Sequence, residues 1–397
     1  MDGSMVRVYT RPDRGHAWLR QVQGKCPRLA LVLGFTETAL LPGISAAGAT
    51  PNHRRYTALA DTEFLIKGPS AQPTYPLPPL AQGASPVYIT RAVVAEQGIP
   101  VDVFNAGLPA TPVVPHIDLA GRTARCLTTG GAMSLDLVQD LWQQGVHWGK
   151  ILATYPEDYL LLTECVVGGT TTALALLTGL GFDAAGKVNS SHPRCNHRQK
   201  ITVVQQGLAR SGLWTSGHSV SPLAVVAAVG DPMQPVVAGM AMAASNTKPV
   251  MLAGGTQMLA VYGLMTALAK AHGCPWLPQQ VIVGTTRWVA EDPTGDTAGL
   301  ATEVNAALVG SQLSFQQSRF GVLRAYESGF VKEGVGAGAC AIAASLYQNW
   351  GQTELLATIE ALLEQTLSLT ADSEFSGQPD IGSPKSSLSP SADGGEA

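Results

Sequence analysis

Five short apolar runs, each closed by small or polar residues, constrain the fold of this chain most. They are LALVLG (29–34), VDVFNAG (101–107), YLLLTE (159–164), PVMLAGG (249–255) and QVIVGTT (280–286). Each reads as a buried strand ending in a polar turn. Between them lie helical patterns: SLDLVQDLWQQGVHWGKIL (134–152), ALALLTGL (173–180), QKITVVQQGLA (199–209) and PLAVVAAVG (222–230). Strands alternating with helices predict an α/β fold, a mostly parallel Rossmann-like sheet with helices on both faces. Ligands of such sheets sit beyond the carboxyl ends of the strands, so the polar tails are expected to converge on one rim.

Residues 28–345 are expected to form one large α/β domain. Residues 1–27 and 346–370 are expected to form a small helical subdomain from the chain ends. SAQPTYPLPPLAQGASP (70–86) reads as a Pro-rich connection inside the large domain, and TELLATIEALLEQTLSL (353–369) as an amphipathic helix. Residues 371–397 form a Ser/Pro/Gly/Asp-rich stretch with almost no large apolar side chains, for which disorder is expected.

With 45% hydrophobic and 14% charged residues over 397 positions, the chain can bury a large core. A net charge of −4 without a Lys/Arg-rich block gives no nucleic-acid footprint. The most membrane-like run, residues 249–269, is broken by Gly254, Gly255, Thr256 and Gln257, and reads as strand, turn and buried helix rather than a span. Six widely spaced cysteines (26, 126, 165, 195, 274, 340) read as reduced thiols of a cytoplasmic protein. His192, Cys195 and His197 lie close together in SHPRCNH, yet lack a partner motif and read as a polar loop. No metal and no cofactor is expected.

Two stretches carry chemistry. In ESGFVKEGVGAGACAIAA (327–344), Glu333 stands at the mouth of a glycine-rich segment before a small-residue apolar run. It is either a first-turn acid favoured by the helix dipole or a reactive carboxylate beside glycines that admit a ligand. In LLLTECVVGGTTTALALL, a strand ends at Glu164 and the turn Gly168-Gly169 leads into Thr170 and Thr171. That order suits either a phosphate at a helix N-terminus or a Thr cap with close strand–helix packing.

Together these stretches resemble the nicotinate-nucleotide–dimethylbenzimidazole phosphoribosyltransferases. The family signature E-M-G-I-G-N-T-T is similar to ECVVGGTT (164–171), and its G-E-G-S-G-A motif to KEGVGAGA, with Glu333 in the glutamate position. The order of intervening segments is similar over about residues 29–345, including TTRWVAEDPTGD for the family's S-H-R-S-A-E-P-G-H. Val166 replaces a Gly of the signature, Gly169 replaces Asn, and GGTQ replaces D-G-F-I. These departures look like a divergent branch, similar to archaeal and cyanobacterial members.

The resemblance implies phosphoribosyl transfer from nicotinate mononucleotide to 5,6-dimethylbenzimidazole in cobalamin lower-ligand assembly, by a homodimer. It implies Glu333 as general base. Glu164 is expected to orient the acceptor or hold ribose hydroxyls, or to cap the helix. The turn of Gly168, Gly169, Thr170 and Thr171 is expected to hold the phosphate, helped by Lys200. Arg287 is expected to face the donor's carboxylate or phosphate, and Gly254, Gly255, Gly334 and Gly336 to line the substrates. Because the family carries Asn at position 169, Asn is expected to fit there better than Val. Two other readings stay open: transfer to a different base such as adenine or another benzimidazole, and a non-catalytic nucleotide-binding protein on the same fold. A nicotinamide-dinucleotide oxidoreductase is disfavoured, since LGFTET and not G-x-G-x-x-G follows the first strand.

A chain truncated after Thr370 is expected to melt and turn over like the full chain. A melting temperature lowered by several degrees would show that the last residues dock on the core.

Overall fold

The computed structural model describes residues 4–80, 82–213 and 220–376. Its strands are β1 (Val6–Val8), β2 (Pro27–Leu33), β3 (Val101–Asn105), β4 (Ile117–Asp118), β5 (Tyr159–Cys165), β6 (Val250–Ala253), β7 (Val281–Thr286) and β8 (Leu308–Ser311). They form one sheet in the order β1-β8-β7-β6-β5-β2-β3-β4. Every pairing is parallel except β1 on β8. All five expected strands are present.

The helices are α1 (Pro12–Val22), α2 (Pro51–Lys67), α3 (Val87–Glu96), α4 (Leu135–Leu152), α5 (Gly169–Gly179), α6 (His197–Ser211), α7 (Pro222–Val229), α8 (Met233–Ala244), α9 (Gly255–His272), α10 (Arg287–Ala290), α11 (Thr297–Glu303), α12 (Gly321–Arg324), α13 (Ala337–Gln348) and α14 (Gln352–Ser376). Strand alternation divides them into two layers. Ala30 and Val32 of β2, with Leu160 and Leu162 of β5, pack into a core with α4 to α9 and α11. Leu29, Leu31 and Leu33, with Tyr159 and Leu161, pack into a second core with α1, α2, α3, α13 and α14. Burial on both faces explains why the central strands are apolar throughout rather than alternating.

The strand order fixes where a ligand can enter. From β2 the chain moves outward through β3 to β4. From β5 it moves the other way, through β6 and β7 to β8. The direction reverses between β2 and β5, paired side by side with Leu33 opposite Cys165. Such a switch point opens a crevice at the carboxyl ends of the two strands.

The chain ends supply α1 and α14. They also supply β1, a three-residue edge strand too short to read from the sequence. Trp18, Val22, Leu355 and Ile359 bury in the same core as α3 and α13. Helix α14 runs through residues 371–376, past the expected start of disorder at 371, and residues 377–397 lie outside the described residues. Residues 249–269 fold as β6, a turn and most of α9, and no helix among the described residues is long and apolar enough to cross a membrane.

Helices α4 and α8 cross through glycines. A Cβ on Gly145 would lie 2.3 Å from Val236 O, one on Gly149 2.4 Å from Met240 O, and one on Gly239 2.6 Å from Trp142 O. The neighbours are backbone atoms, which cannot swing aside. Gly149→Val is expected to destabilise by about 1–3 kcal/mol through overpacking, read from the denaturant midpoint. Lys150→Ala on the exposed side should stay within about 0.5 kcal/mol.

Candidate active site

A cavity of about 340 Å³ lies at the carboxyl ends of β5 and β6, bounded by the turns into α5 and α9, the segment before α13, the 189–193 loop and the Pro-rich connection. Glu164 and Glu333 both line it.

Glu333 is half-buried. Its Oε2 accepts from Thr285 Oγ1 (2.8 Å) and Thr286 N (2.8 Å) at the end of β7. Its Oε1 accepts from Gly338 N (3.0 Å) in the first turn of α13 and Gly334 N (3.3 Å). Burial raises the pKa of this carboxyl, and the four donors oppose the rise.

The chain around Glu333 is held in an unusual conformation. Val331, Lys332 and Val335 have φ of 69°, 69° and 53°, a region that costs a side-chain-bearing residue on the order of 1–3 kcal/mol. Three contacts pin it. Thr286 Oγ1 donates to Lys332 O (2.6 Å), and Thr90 Oγ1 donates to Val335 O (2.9 Å). Lys332 Nζ, almost fully buried, pairs with Asp292 Oδ2 at 2.5 Å. Asp292 also accepts from Asn189 Nδ2, Thr294 N and Thr294 Oγ1, and these donors outweigh burial and lower its pKa.

Glu164 is the last residue but one of β5, 3% exposed. Its Oε2 accepts from Val166 N (2.7 Å) and its Oε1 from Gln257 Nε2 (2.8 Å). Burial, then the nearby Asp231 and Glu333, push it up to about 8. Asp231, fully buried, accepts from Thr172 Oγ1 (2.5 Å) and Met233 N (3.1 Å), and burial raises it to about 6. Asp61 on α2 lines the cavity, bonded by Ser85 Oγ (2.7 Å) and Cys165 Sγ (3.7 Å), and burial raises it to about 6 as well.

Of the residues expected at the site, Glu333, Glu164, Gly168, Gly169, Thr170, Gly254 and Gly334 line the cavity. The N–H groups of Gly168 and Thr170, at the start of α5, take no backbone partner, whereas those of Gly169 and Thr171 bond to Val166 O and Gly168 O. Thr171 is fully buried behind the turn. Gly255 and Gly336 sit behind the wall, packed on the Thr285 and Thr163 hydroxyls.

Two expectations need correction. Lys200 does not line the cavity; its Nζ is buried, donates to Val188 O (2.7 Å) and Asn189 O (2.6 Å), and so fixes the root of the 189–193 loop. Arg287 turns away from the cavity, binding Leu313 O (3.0 Å), Ser314 Oγ (3.3 Å) and the Glu327 carboxylate. At position 169 a Cβ, of Asn and Val alike, would lie 1.6 Å from Gln257 Oε1, so neither fits as the rim stands. In SHPRCNH, His192 contacts Gly43 O, Cys195 Sγ donates to Asp292, and His197 contacts Thr294 O. Among the described residues no group of three or more His, Cys, Asp or Glu could hold a metal.

The sequence reading missed Asp61, Lys332 and Gln257 as cavity groups, and Asp231 and Asp292 as the buried acids behind them. The signal available was for strands and glycine turns, and these side chains come from separate elements that meet only in space.

The chain is 62% identical to the UPF0284 protein of Cyanothece sp. (strain PCC 7425 / ATCC 29141), over 93% of its own length and all of that relative. It is 58% identical to the UPF0284 protein of Trichodesmium erythraeum (strain IMS101), over 90% of this chain and 98% of the other. The chain belongs to the UPF0284 family. Both relatives are cyanobacterial, in line with the branch suggested by the departures from the signature. Residues 84–276 of this UPF0284 chain match the profile of a family described as Phosphoribosyltransferase, so the chain is an enzyme of phosphoribosyltransferase type. Its fold is similar to that of CobT from Thermus thermophilus, at 18% identity and TM-score 0.54 over 88% of each chain. It is also similar to a nicotinate-nucleotide-dimethylbenzimidazole phosphoribosyltransferase from Thermus thermophilus, at 17% identity and TM-score 0.52 over 91% of this chain and 94% of the other.

The acids of the site predict a pH dependence of stability. Glu164 titrates near 4.5 unfolded and near 8 folded, so its burial carries no penalty below pH 4.5. The penalty grows as pH rises from about 4.5 to 8, where the unfolded chain would ionise and the folded one resists. Glu164→Gln removes this term. Its melting temperature relative to the unsubstituted protein is expected to rise steadily from pH 5 to pH 8. A difference that stays flat with pH would place the folded pKa near the ordinary value.

Proposed function

We propose that this chain transfers the phosphoribosyl group of nicotinate mononucleotide to a ring nitrogen of 5,6-dimethylbenzimidazole, giving α-ribazole 5'-phosphate and nicotinate for cobalamin lower-ligand assembly. The observation that carries the reading is Glu333, a carboxylate of raised pKa, oriented by four donors at the rim of a cavity lined by the glycine turn of α5. The glycosidic C–N bond breaks with its electron pair passing to the pyridinium nitrogen of the donor. The acceptor's lone pair bonds the anomeric carbon from the opposite face, and the proton on its other nitrogen passes to Glu333. A positioned base of this kind contributes about 10²–10⁴ in rate. Two features favour a cationic pyridinium and an oxocarbenium-like centre: the carboxyl of Asp61 in the cavity wall, and the placement of both Lys200 and Arg287 away from the cavity. The unpaired N–H groups of Gly168 and Thr170, at an α-helix N-terminus, suit the 5'-phosphate.

Asp61 favours a second acceptor. Its carboxylate faces the cavity and can accept from an exocyclic amine, which adenine has and 5,6-dimethylbenzimidazole lacks. Incubation with nicotinate mononucleotide and each base in turn, with products followed by mass, decides between them. Release of nicotinate with neither base would reject the reading.

Glu333→Gln is expected to keep the fold and donor binding while lowering turnover by at least about a hundredfold. Near-normal turnover in a folded variant would remove Glu333 from the mechanism.

A further inference from the structure

Gln257 stands in the first turn of α9, at the cavity wall. Its Nε2 is committed to Glu164 Oε1 at 2.8 Å, which fixes the way the amide points. Its Oε1 is buried and has no hydrogen-bond partner. Buried polar atoms are almost always satisfied, and an exception beside a cavity points to a group that arrives with a ligand.

A second observation concerns the space this oxygen occupies. A Cβ built on Gly169 would lie 1.6 Å from Gln257 Oε1 and 2.6 Å from its Cδ. The amide head therefore fills the volume in which a side chain at position 169 would begin. Position 169 is where the E-M-G-I-G-N-T-T signature carries Asn, and position 257 lies in the GGTQ that stands for D-G-F-I. The two departures, far apart in sequence, are one exchange in space: an amide is absent from α5 and supplied from α9.

We infer that Gln257 binds the substrate, its Oε1 accepting a hydrogen bond from an O–H or N–H of the ligand, in place of the amide that the signature carries at position 169. The ligand class is a ribotide hydroxyl or the N–H of a nitrogen heterocycle. The inference rests on the proposed function for taking this cavity as the substrate site. Neither an alkyl group nor an unprotonated ring nitrogen would satisfy the oxygen.

The test uses the full chain, with Gln257→Ala, Gly169→Asn and the double variant, titrated calorimetrically with nicotinate mononucleotide, 5,6-dimethylbenzimidazole and adenine. Gln257→Ala is expected to weaken at least one probe by roughly three- to thirtyfold, as for one lost hydrogen bond. Loss confined to the nucleotide assigns a ribose hydroxyl, and loss confined to the free bases assigns a ring or amino N–H. Gly169→Asn alone is expected to bind worse than the double variant, because two amides then compete for one space. Unchanged binding of every probe by Gln257→Ala would overturn the inference, as would a double variant no better than Gly169→Asn. If the unsubstituted protein binds none of the probes, the proposed function falls. The inference falls with it, and the shared space is read from melting without ligand: Gly169→Asn should lower the melting temperature and the added Gln257→Ala should restore it. Absence of that restoration would overturn the shared-space argument on its own.

Discussion

The seating of Glu333 joins the parts of the rim. One oxygen takes donors from the end of β7 and the other a donor from the start of α13, so a single carboxylate ties a strand end to a helix N-terminus. That reach exists because α13 lies directly on β7: a Cβ on Gly338 would fall 2.1 Å from the Thr285 carbonyl carbon. The helix offers N–H groups that have no partner of their own, and the carboxylate both satisfies one and matches the helix dipole. Hydrogen bonds to an ionised group contribute about 1.5–3 kcal/mol each, comparable with the strain of the left-handed residues that flank Glu333. The strained segment and the carboxylate therefore hold each other in place.

The electrostatics follow from how many donors each buried acid receives. Burial raises Glu164, Asp231, Asp61 and Glu333 alike. Glu164 has two hydrogen-bond donors and rises to about 8, whereas the four donors on Glu333 work against its rise. Asp292 has the same burial problem, yet an ammonium and a set of neutral donors bring it below its ordinary value. The rim thus holds two carboxyls that burial raises, one of them with twice as many donors opposing the rise.

Much of the sheet was legible because burial on both faces leaves apolar runs of strand length, such as LALVLG and YLLLTE. Strand β8 is only LVGS and β1 only VRV, too short to stand out from their surroundings. Glu333, Glu164 and the Gly168–Thr170 turn were legible because each lies within a local pattern of strand end, glycine and helix start. Lys200 and Arg287 were misjudged for one reason. A charged residue beside a site motif gives no sign of which way its side chain turns, and both turn inward to carbonyls or a carboxylate. Asp61 left no trace, since a carboxylate meets its cavity through tertiary packing alone.

Two of the departures from the family motifs have a partner in space. Lys332 stands where the G-E-G-S-G-A motif has glycine, at φ 69°, a conformation glycine adopts freely and lysine does not. An isolated lysine there would carry backbone strain and bury an ammonium; Asp292 supplies the opposite charge. Removing either partner alone would leave an uncompensated buried charge. Gly169 and Gln257 couple in the same manner through volume rather than charge. Position 169 and position 257 read as separate departures along the chain, whereas in the packing they share one space. Each pairing keeps a filled rim around the same pair of glutamates.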